Sequence, residues 1–274
     1  MNLEQKYLRL QEIFKKMERA LVAFSGGVDS ALVLKVAADT LGVNNILAVT
    51  ADSESYPREE LKSARELGEN LGLGERHLVI QTDELKNPEY AANSPARCFF
   101  CKDELYGRLN EIAQEKGFRH IADGCNLSDA GDFRPGRKAA EKHGVRSPLI
   151  EAEMTKDEIR RLAKKLELPV WDKPAMACLS SRIPYGMKVT KENLAKIEQA
   201  EEYLHSLGLK QVRVRHHENI ARIEVRPEEI SKLLEAKTRE QIANKLKQIG
   251  YLYVTLDLQG YRSGSMNEVL TRKD

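Results

Sequence analysis

Ser25-Gly26-Gly27-Val28-Asp29-Ser30 brings two adjacent glycines, two hydroxyls and a carboxylate into six residues. Adjacent glycines let backbone N–H groups approach an anion closely, and the serine hydroxyls add donors. A helix that starts here turns the positive end of its dipole toward the same place. A carboxylate does not favour a bare phosphate, so Asp29 makes sense where a divalent cation bridges it to a polyphosphate. No lysine stands in a GK[ST] position, which disfavours a P-loop enzyme of γ-phosphoryl transfer. The competing explanation is a glycine turn with Ser or Asp capping a helix. That accounts for a lone glycine, but not for the whole hexapeptide.

Cysteines and arginines form two further groups. Cys98 and Cys101 make a CxxC pair, and Cys178 follows in PAMACLSSR. A CxxC alone fits a redox pair, half of a zinc site or chance, and zinc would ask for a fourth Cys or His. Three thiolates fit an iron–sulfur cluster that leaves one iron open to an exogenous ligand such as hydrosulfide. Cys125, in DGCN, reads as a packing residue near the nucleotide pocket. In VRVRHH, Arg213 and Arg215 alternate with Val212 and Val214, so both arginines share one strand face while the valines turn to the core. Two guanidiniums on one face suit bidentate capture of a phosphate; by spacing alone a solvated edge strand fits as well. Ser181 and Arg182, just after Cys178, could serve the same anion. His216 and His217 face opposite ways at the turn end of a hairpin, which argues against a joint metal site.

The elements that must position these residues alternate. Leu21–Phe24, Ile46–Thr50, His77–Ile80 and a segment starting at His120–Ala122 read as strands, with helices over Val28–Leu41, Arg58–Leu71 and Lys102–Lys116 between them. This predicts an α/β fold, a parallel sheet with helices on both faces. Ligands of such sheets sit beyond the carboxyl ends of the strands. Cys98 and Cys101 are expected just before the helix at Lys102. Lys102 (a candidate catalytic residue), Asp123, Asp132 and Arg134 lie on segments expected at the same edge. Prolines and a glycine in 171–187 suggest a linker or active-site loop between residues 1–170 and 188–274. The latter reads as a small α+β domain with a helix at Lys191–Leu207, strands at Gln211–Arg215 and Ala221–Val225, and a further strand at Tyr251–Leu256. Trp171 reads as a packing residue.

Composition narrows the class. The 274 residues carry 44 Lys+Arg against 42 Asp+Glu, a net charge of +2, which excludes a strongly basic nucleic-acid binder. No apolar run approaches the roughly 20 residues of a membrane helix. The charged amphipathic start lacks the apolar core of a signal peptide, so a cytoplasmic protein is expected. Four cysteines are too few for a disulfide scaffold.

SGGVDS resembles the PP-loop of the ATP pyrophosphatases, which cleave ATP to AMP and pyrophosphate and adenylate a substrate oxygen. VTADSESYPREE (Val49–Glu60), SPARCFFCK (Ser94–Lys102), DGCNLSDAGDFRPG (Asp123–Gly136), WDKPAMACLSSRIPYG (Trp171–Gly186), VRVRHHENIARIEV (Val212–Val225) and YVTLDLQGYRSGS (Tyr253–Ser265) are similar to segments of the LarE family. LarE proteins are ATP-dependent sulfur transferases that build the nickel-pincer nucleotide of lactate racemase.

The resemblance implies ATP and Mg2+ at Ser25, Gly26, Gly27, Asp29, Ser30, Asp52, Arg97 and Gly124, with Asp29, Lys102 and Cys178 catalytic. It implies a substrate phosphate at Ser181, Arg182, Arg213 and Arg215. A metal at a subunit interface is implied at Glu201, with Glu202 as the competing choice, and at Glu224. One LarE branch gives up the sulfur of the cysteine at position 178 and is left with dehydroalanine. Another carries two more cysteines and holds a 4Fe-4S cluster, and this sequence looks like the second, with Cys98, Cys101 and Cys178 as ligands. The substrate implied is pyridinium-3,5-biscarboxylic acid mononucleotide, and the assembly a hexamer, with neither nucleic acid nor membrane as a partner. Three rivals are a tRNA thiolase with a three-cysteine cluster, an amidating ligase, which would need an ammonia source, and a sensor that binds ATP without turnover.

Overall fold

The computed structural model describes residues 1–128, 135–174, 177–262 and 264–271. Asp132 and Arg134 lie outside them. The chain divides into two compact units, Met1–Tyr90 with Pro95–Met176, and Ala91–Ser94 with Ala177–Asp274.

The first unit runs α1 (Leu3–Met17), β1 (Ala20–Ala23), α2 (Val28–Leu41), β2 (Ile46–Asp52), α3 (Arg58–Asn70) and β3 (His77–Gln81). After the single turn α4 (Pro88–Ala91) come α5 (Arg97–Glu115), β4 (Ile121–Ala122), α6 (Gly136–Lys142), α7 (Pro148–Glu151) and α8 (Lys156–Lys165). The four strands form a parallel sheet in the order β3-β2-β1-β4. Side chains alternate across a strand, and both faces of this sheet are covered. Val22, Ile46 and Ala48 enter a core with Leu10, Phe14, Val33, Ala64 and Leu162 from α1, α2, α3 and α8. Leu21, Leu47 and Val49, one residue out of step, enter another with Tyr106, Leu109 and Ala139 from α5 and α6. Near-continuous apolar runs are what a doubly covered parallel sheet requires.

One boundary differs from the expectation in a way that matters. Helix α5 begins at Arg97, not near Lys102, so Cys98 and Cys101 lie within its opening turns rather than ahead of it. Cys and Phe are weak helix formers and Ala96 caps with no side-chain hydrogen bond, so the sequence carries no start signal there.

The second unit holds α9 (Lys191–Ser206), β5 (Val212–His217), β6 (Ile220–Val225), α10 (Ile230–Leu234), α11 (Ala236–Ile249), β7 (Tyr253–Leu256) and α12 (Glu268–Thr271). β5 and β6 are antiparallel, and β7 adds in parallel to β6. Val212, Val214, Ala221, Ile223 and Val225 pack on Ala200 and Leu204 of α9 and Ile242 and Leu246 of α11. Residues 91–94 belong here because Asn93, at φ 56°, spans three carbonyls. Its amide nitrogen donates to the oxygens of Ile183, Pro184 and Met187 at 3.2, 2.8 and 3.0 Å.

Candidate active site

The carboxyl edge of the first unit's sheet collects the expected nucleotide residues. β1 ends two residues before Ser25, β2 ends on Asp52, and β4 ends just before Asp123 and Gly124. Gly26 takes φ +66°, and a Cβ there would stand 2.9 Å from that of Ala64. A side chain would meet both a backbone penalty and a wall. Gly27 is the N-cap of α2 and supplies no side chain to cap it, which leaves first-turn amides for an anion. Gly124 lets a second backbone segment approach, since a Cβ on it would lie 2.8 Å from the Ser30 nitrogen.

Hydroxyls stiffen the loop. Ser30 Oγ donates to the Gly27 carbonyl at 3.1 Å, accepts from the Ser25 nitrogen at 3.2 Å and lies 3.1 Å from Ser25 Oγ. Tyr56, whose hydroxyl pKa is pushed up by burial and by Glu60, donates to the Ser25 carbonyl at 2.8 Å. Buried Asp52 is fixed by Arg58 at 2.5 Å and by Gln81 at 2.6 Å.

Asp29, in the first turn of α2, accepts from Lys156 Nζ at 2.5 Å and from Asn126 Nδ2 at 3.2 Å. Neither partner was singled out in the sequence. A lysine at the first position of α8 sits against the helix dipole, inside the Thr155–Glu158 capping box. That dipole mismatch is the signal that could have found it. The loop carrying Gly124 and Asn126 is held through buried Asp123, which accepts from Ser147 Oγ (2.8 Å), Tyr106 OH (2.9 Å), the Cys125 nitrogen (3.1 Å) and Cys125 Sγ (3.2 Å). Burial, with Asp123 alongside, pushes the Tyr106 hydroxyl far up, so it stays a donor. Lys102 lies one helical turn before Tyr106, its ammonium 5.3 Å from that ring's centre. Arg97 is buried at the start of α5, while Cys98 is exposed and Cys101 partly buried, one turn apart.

In the second unit the expected phosphate residues do converge. Cys178, partly buried, precedes a single 3-10 turn, Leu179–Arg182. Arg182 clamps Glu201 in bidentate fashion, Nε to Oε1 at 3.0 Å and Nη2 to Oε2 at 2.8 Å, and Nη1 donates to the carbonyls of Ala177 and Cys178. The Val214 nitrogen adds 2.8 Å to Glu201 Oε1. Burial opposes both charges, yet Arg182 holds the Glu201 carboxyl below its usual range. Arg215 donates to Glu224 at 2.7 Å, to the Ser181 carbonyl at 3.1 Å and to Ser265 Oγ at 3.2 Å, while its buried Nε has no partner. Arg213 donates to the Val212 carbonyl and lies 5.4 Å from the Tyr261 ring centre; burial and then Arg182 depress its pKa.

The arginine face is therefore buried, not the solvated edge that spacing equally allowed. With Arg222, which reaches Glu224 at 3.2 Å and Asp257 at 3.0 Å, four guanidiniums meet three carboxylates among the described residues, an excess of one positive charge. Arg215 Nε and Arg222 Nε are orphaned donors beside one orphaned acceptor, Glu224 Oε1, a balance that suits an anion. Glu201 is the buried member of its pair and Glu202 is exposed. The implied metal finds arginine counter-ions instead at Glu201 and Glu224, and no three His, Cys, Asp or Glu side chains gather into a metal group among the described residues. His216 and His217 sit on opposite faces of β5, and Trp171 packs at the rim of the first core beneath the Lys164 ammonium, 4.5 Å from its ring. No described helix is long and apolar enough to cross a membrane.

A family model described as NAD synthase matches residues 4–102, the segment that carries β1, the glycine loop and α2. An uncharacterised protein of Synechocystis is 47% identical over 98% of this chain and 100% of its own length. The pyridinium-3,5-bisthiocarboxylic acid mononucleotide synthase of Lactiplantibacillus plantarum is 43% identical over 98% of this chain and 96% of its own. An uncharacterised protein of Methanocaldococcus jannaschii is 30% identical over 93% and 94%. With both units, the glycine loop and the arginine hairpin inside these end-to-end alignments, the chain belongs to the LarE family of PP-loop proteins.

Proposed function

We propose that this protein uses ATP to replace carboxylate oxygen by sulfur on pyridinium-3,5-biscarboxylic acid mononucleotide, through an acyl-adenylate. The observation that carries this is the 43% identity to the plantarum synthase across 98% of the chain.

A carboxylate is a poor electrophile. Its attack on the α-phosphorus of ATP forms a mixed anhydride and expels pyrophosphate. The α2 amides, Ser25 and Ser30 are preorganised donors for the charge that develops there. Asp29 already faces a cation in Lys156, and its carboxylate suits a magnesium ion shared with the phosphates, which would neutralise the leaving group. Lys156, Lys102 and Arg97 add positive charge on the same unit. Asp52 and Gly124 hold the walls of the nucleotide site. Arg213, Arg215, Arg182 and Ser181 take the phosphate of the mononucleotide and orient its carboxylate. A sulfur nucleophile then attacks the acyl carbon and AMP leaves.

Cys98, Cys101 and Cys178 supply three thiolates, the donor set of a 4Fe-4S cluster with one open iron. The exposure of Cys98 and its one-turn spacing from Cys101 suit so bulky a group. When bound, such a cluster would supply the sulfide that displaces AMP. Glu201 and Glu224 hold Arg182 and Arg215 in place in this reading.

The test is to supply anaerobically prepared protein with ATP, magnesium, sulfide and the biscarboxylic mononucleotide. AMP, pyrophosphate and a thiocarboxylate identified by mass spectrometry are expected. AMP formation that ignores the mononucleotide and needs tRNA instead would overturn the reading.

A further inference from the structure

The second unit contains a cavity of about 660 Å³ on the far side of β5 from the arginines. Arg213, Arg215 and His217 alternate with Val214 and His216 along that strand, so the cavity, lined by His216, lies across the sheet from the group described above. Its volume falls within the range of small-molecule sites, about 300–1,000 Å³.

Its lining is built for a negative group. His216 is 2% exposed, and its one hydrogen bond joins Nδ1 to the Tyr251 hydroxyl at 3.2 Å. Among the described residues Nε2 has no hydrogen-bond partner, and the ring lines the cavity wall. Burial first, then Lys196 and His217, push the imidazole pKa down against Glu218 and Glu192, which favours the neutral ring. In the tautomer where the Tyr251 hydroxyl donates to Nδ1, the neutral ring carries its proton on Nε2 and offers it to the cavity. Two ammonium groups join it. Lys188 is exposed and has no ion-pair partner among the described residues. Lys196 is paired at 2.8 Å only with the largely exposed Glu192, an arrangement worth little by itself. Thr190 is the N-cap of the 16-residue helix α9, its Oγ1 already accepting from the Asn193 nitrogen at 3.2 Å, and the positive end of that helix opens on the same space. Glu218 is the single carboxylate on the wall. The balance suits one phosphate group rather than a polyphosphate.

We propose that this cavity is a second anion site, binding the phosphate group of a small phosphorylated molecule through His216 Nε2, Lys188, Lys196 and the first turn of α9. It is independent of the sulfur-transfer reading, because none of these residues belongs to the adenylation machinery.

The experiment is calorimetric titration of the full chain with inorganic phosphate, comparing wild type with the Lys188→Ala/Lys196→Ala double variant and with Arg213→Ala. Both lysines reach solvent, so the double variant should melt like wild type. The expected result is a phosphate isotherm that survives Arg213→Ala and weakens at least tenfold in the lysine variant, and the lysine variant alone keeps wild-type ATP-dependent pyrophosphate release. His216→Gln, which can restore a donor, should bind between the two. An isotherm identical in the wild type and the lysine variant would overturn the site. Acetate binding as tightly as phosphate would overturn its assignment to phosphate.

Discussion

Gly124→Ala tests the nucleotide cradle through a single methyl group. Gly124 does not occupy the left-handed region, so alanine can take its backbone conformation and the cost is purely steric. The new Cβ would stand 2.8 Å from the Ser30 nitrogen, 3.1 Å from its Cα and 3.2 Å from the Asp29 carbonyl carbon, each inside the 3.4 Å of ordinary contact. All three neighbours are backbone, so no side-chain rotation relieves the clash. Asp123, one residue earlier, is fixed by four hydrogen bonds and resists the opposite movement. The opening of α2 must shift by several tenths of an ångström. Overpacking of this kind costs about 1–3 kcal/mol, which lowers the melting temperature by roughly 2–12 °C for a unit of this size. Displacing phosphate donors by such a distance should lower kcat/KM for adenylation by about tenfold to a hundredfold. Pyrophosphate release with substrate and ATP, beside thermal denaturation, reads both effects. Wild-type turnover together with an unshifted melt would refute the close approach of these two backbones and the cradle built on it.

Asp29→Ala should fold, losing at most about 1 kcal/mol with the partly exposed Lys156 pair, but AMP formation should fall a hundredfold or more; normal turnover would remove Asp29 from the chemistry. Arg213→Ala should weaken the mononucleotide far more than ATP in steady-state kinetics, and an equal loss for both would argue against a substrate-phosphate role. Glu201 has a depressed pKa in the folded state, so the stability it confers is complete above the ordinary value of 4.5 and disappears as pH falls below it. Glu201→Gln should therefore be less stable near neutrality, by about 3–5 kcal/mol for a broken buried pair, and show a flatter acid limb in melting curves; parallel limbs would contradict this. Cys98→Ala, Cys101→Ala and Cys178→Ala should each lose bound iron and sulfur transfer while adenylation persists. Dehydroalanine at position 178 after one turnover, with the other two variants active, would instead show a sacrificial cysteine.

Much of the first unit was legible because its signals are local. Val28–Leu41 shows its period in full and is α2 residue for residue, and the strand runs are short and apolar on both faces. What escaped was either unsignalled or non-local. Arg97–Cys101 has no cap to announce a helix. Lys156 meets Asp29 across 127 residues, and Asn126 across 97. For Arg213 and Arg215, alternation gave the shared face but could not tell a buried face from a wet one. That depended on Arg182 and Glu201, which pack on the hairpin from elsewhere in the chain.

The Asn93 clamp makes the second unit discontinuous. A fragment beginning at Ala177 would lack the side chain that closes the 183–187 loop, leaving its turn to the Met187 nitrogen on the Pro184 carbonyl at 3.1 Å and to the Tyr185 hydroxyl on Asn267 at 3.0 Å. Synthesis order adds to this: Asn93 emerges 90 to 94 residues before its partners, so the 91–94 segment cannot settle until the chain has returned with the 183–187 loop. Truncation, grafting or domain exchange in this family must therefore respect two cut sites per junction, and a shuffled chimera joined only near position 176 would inherit one protein's clasp and another's loop.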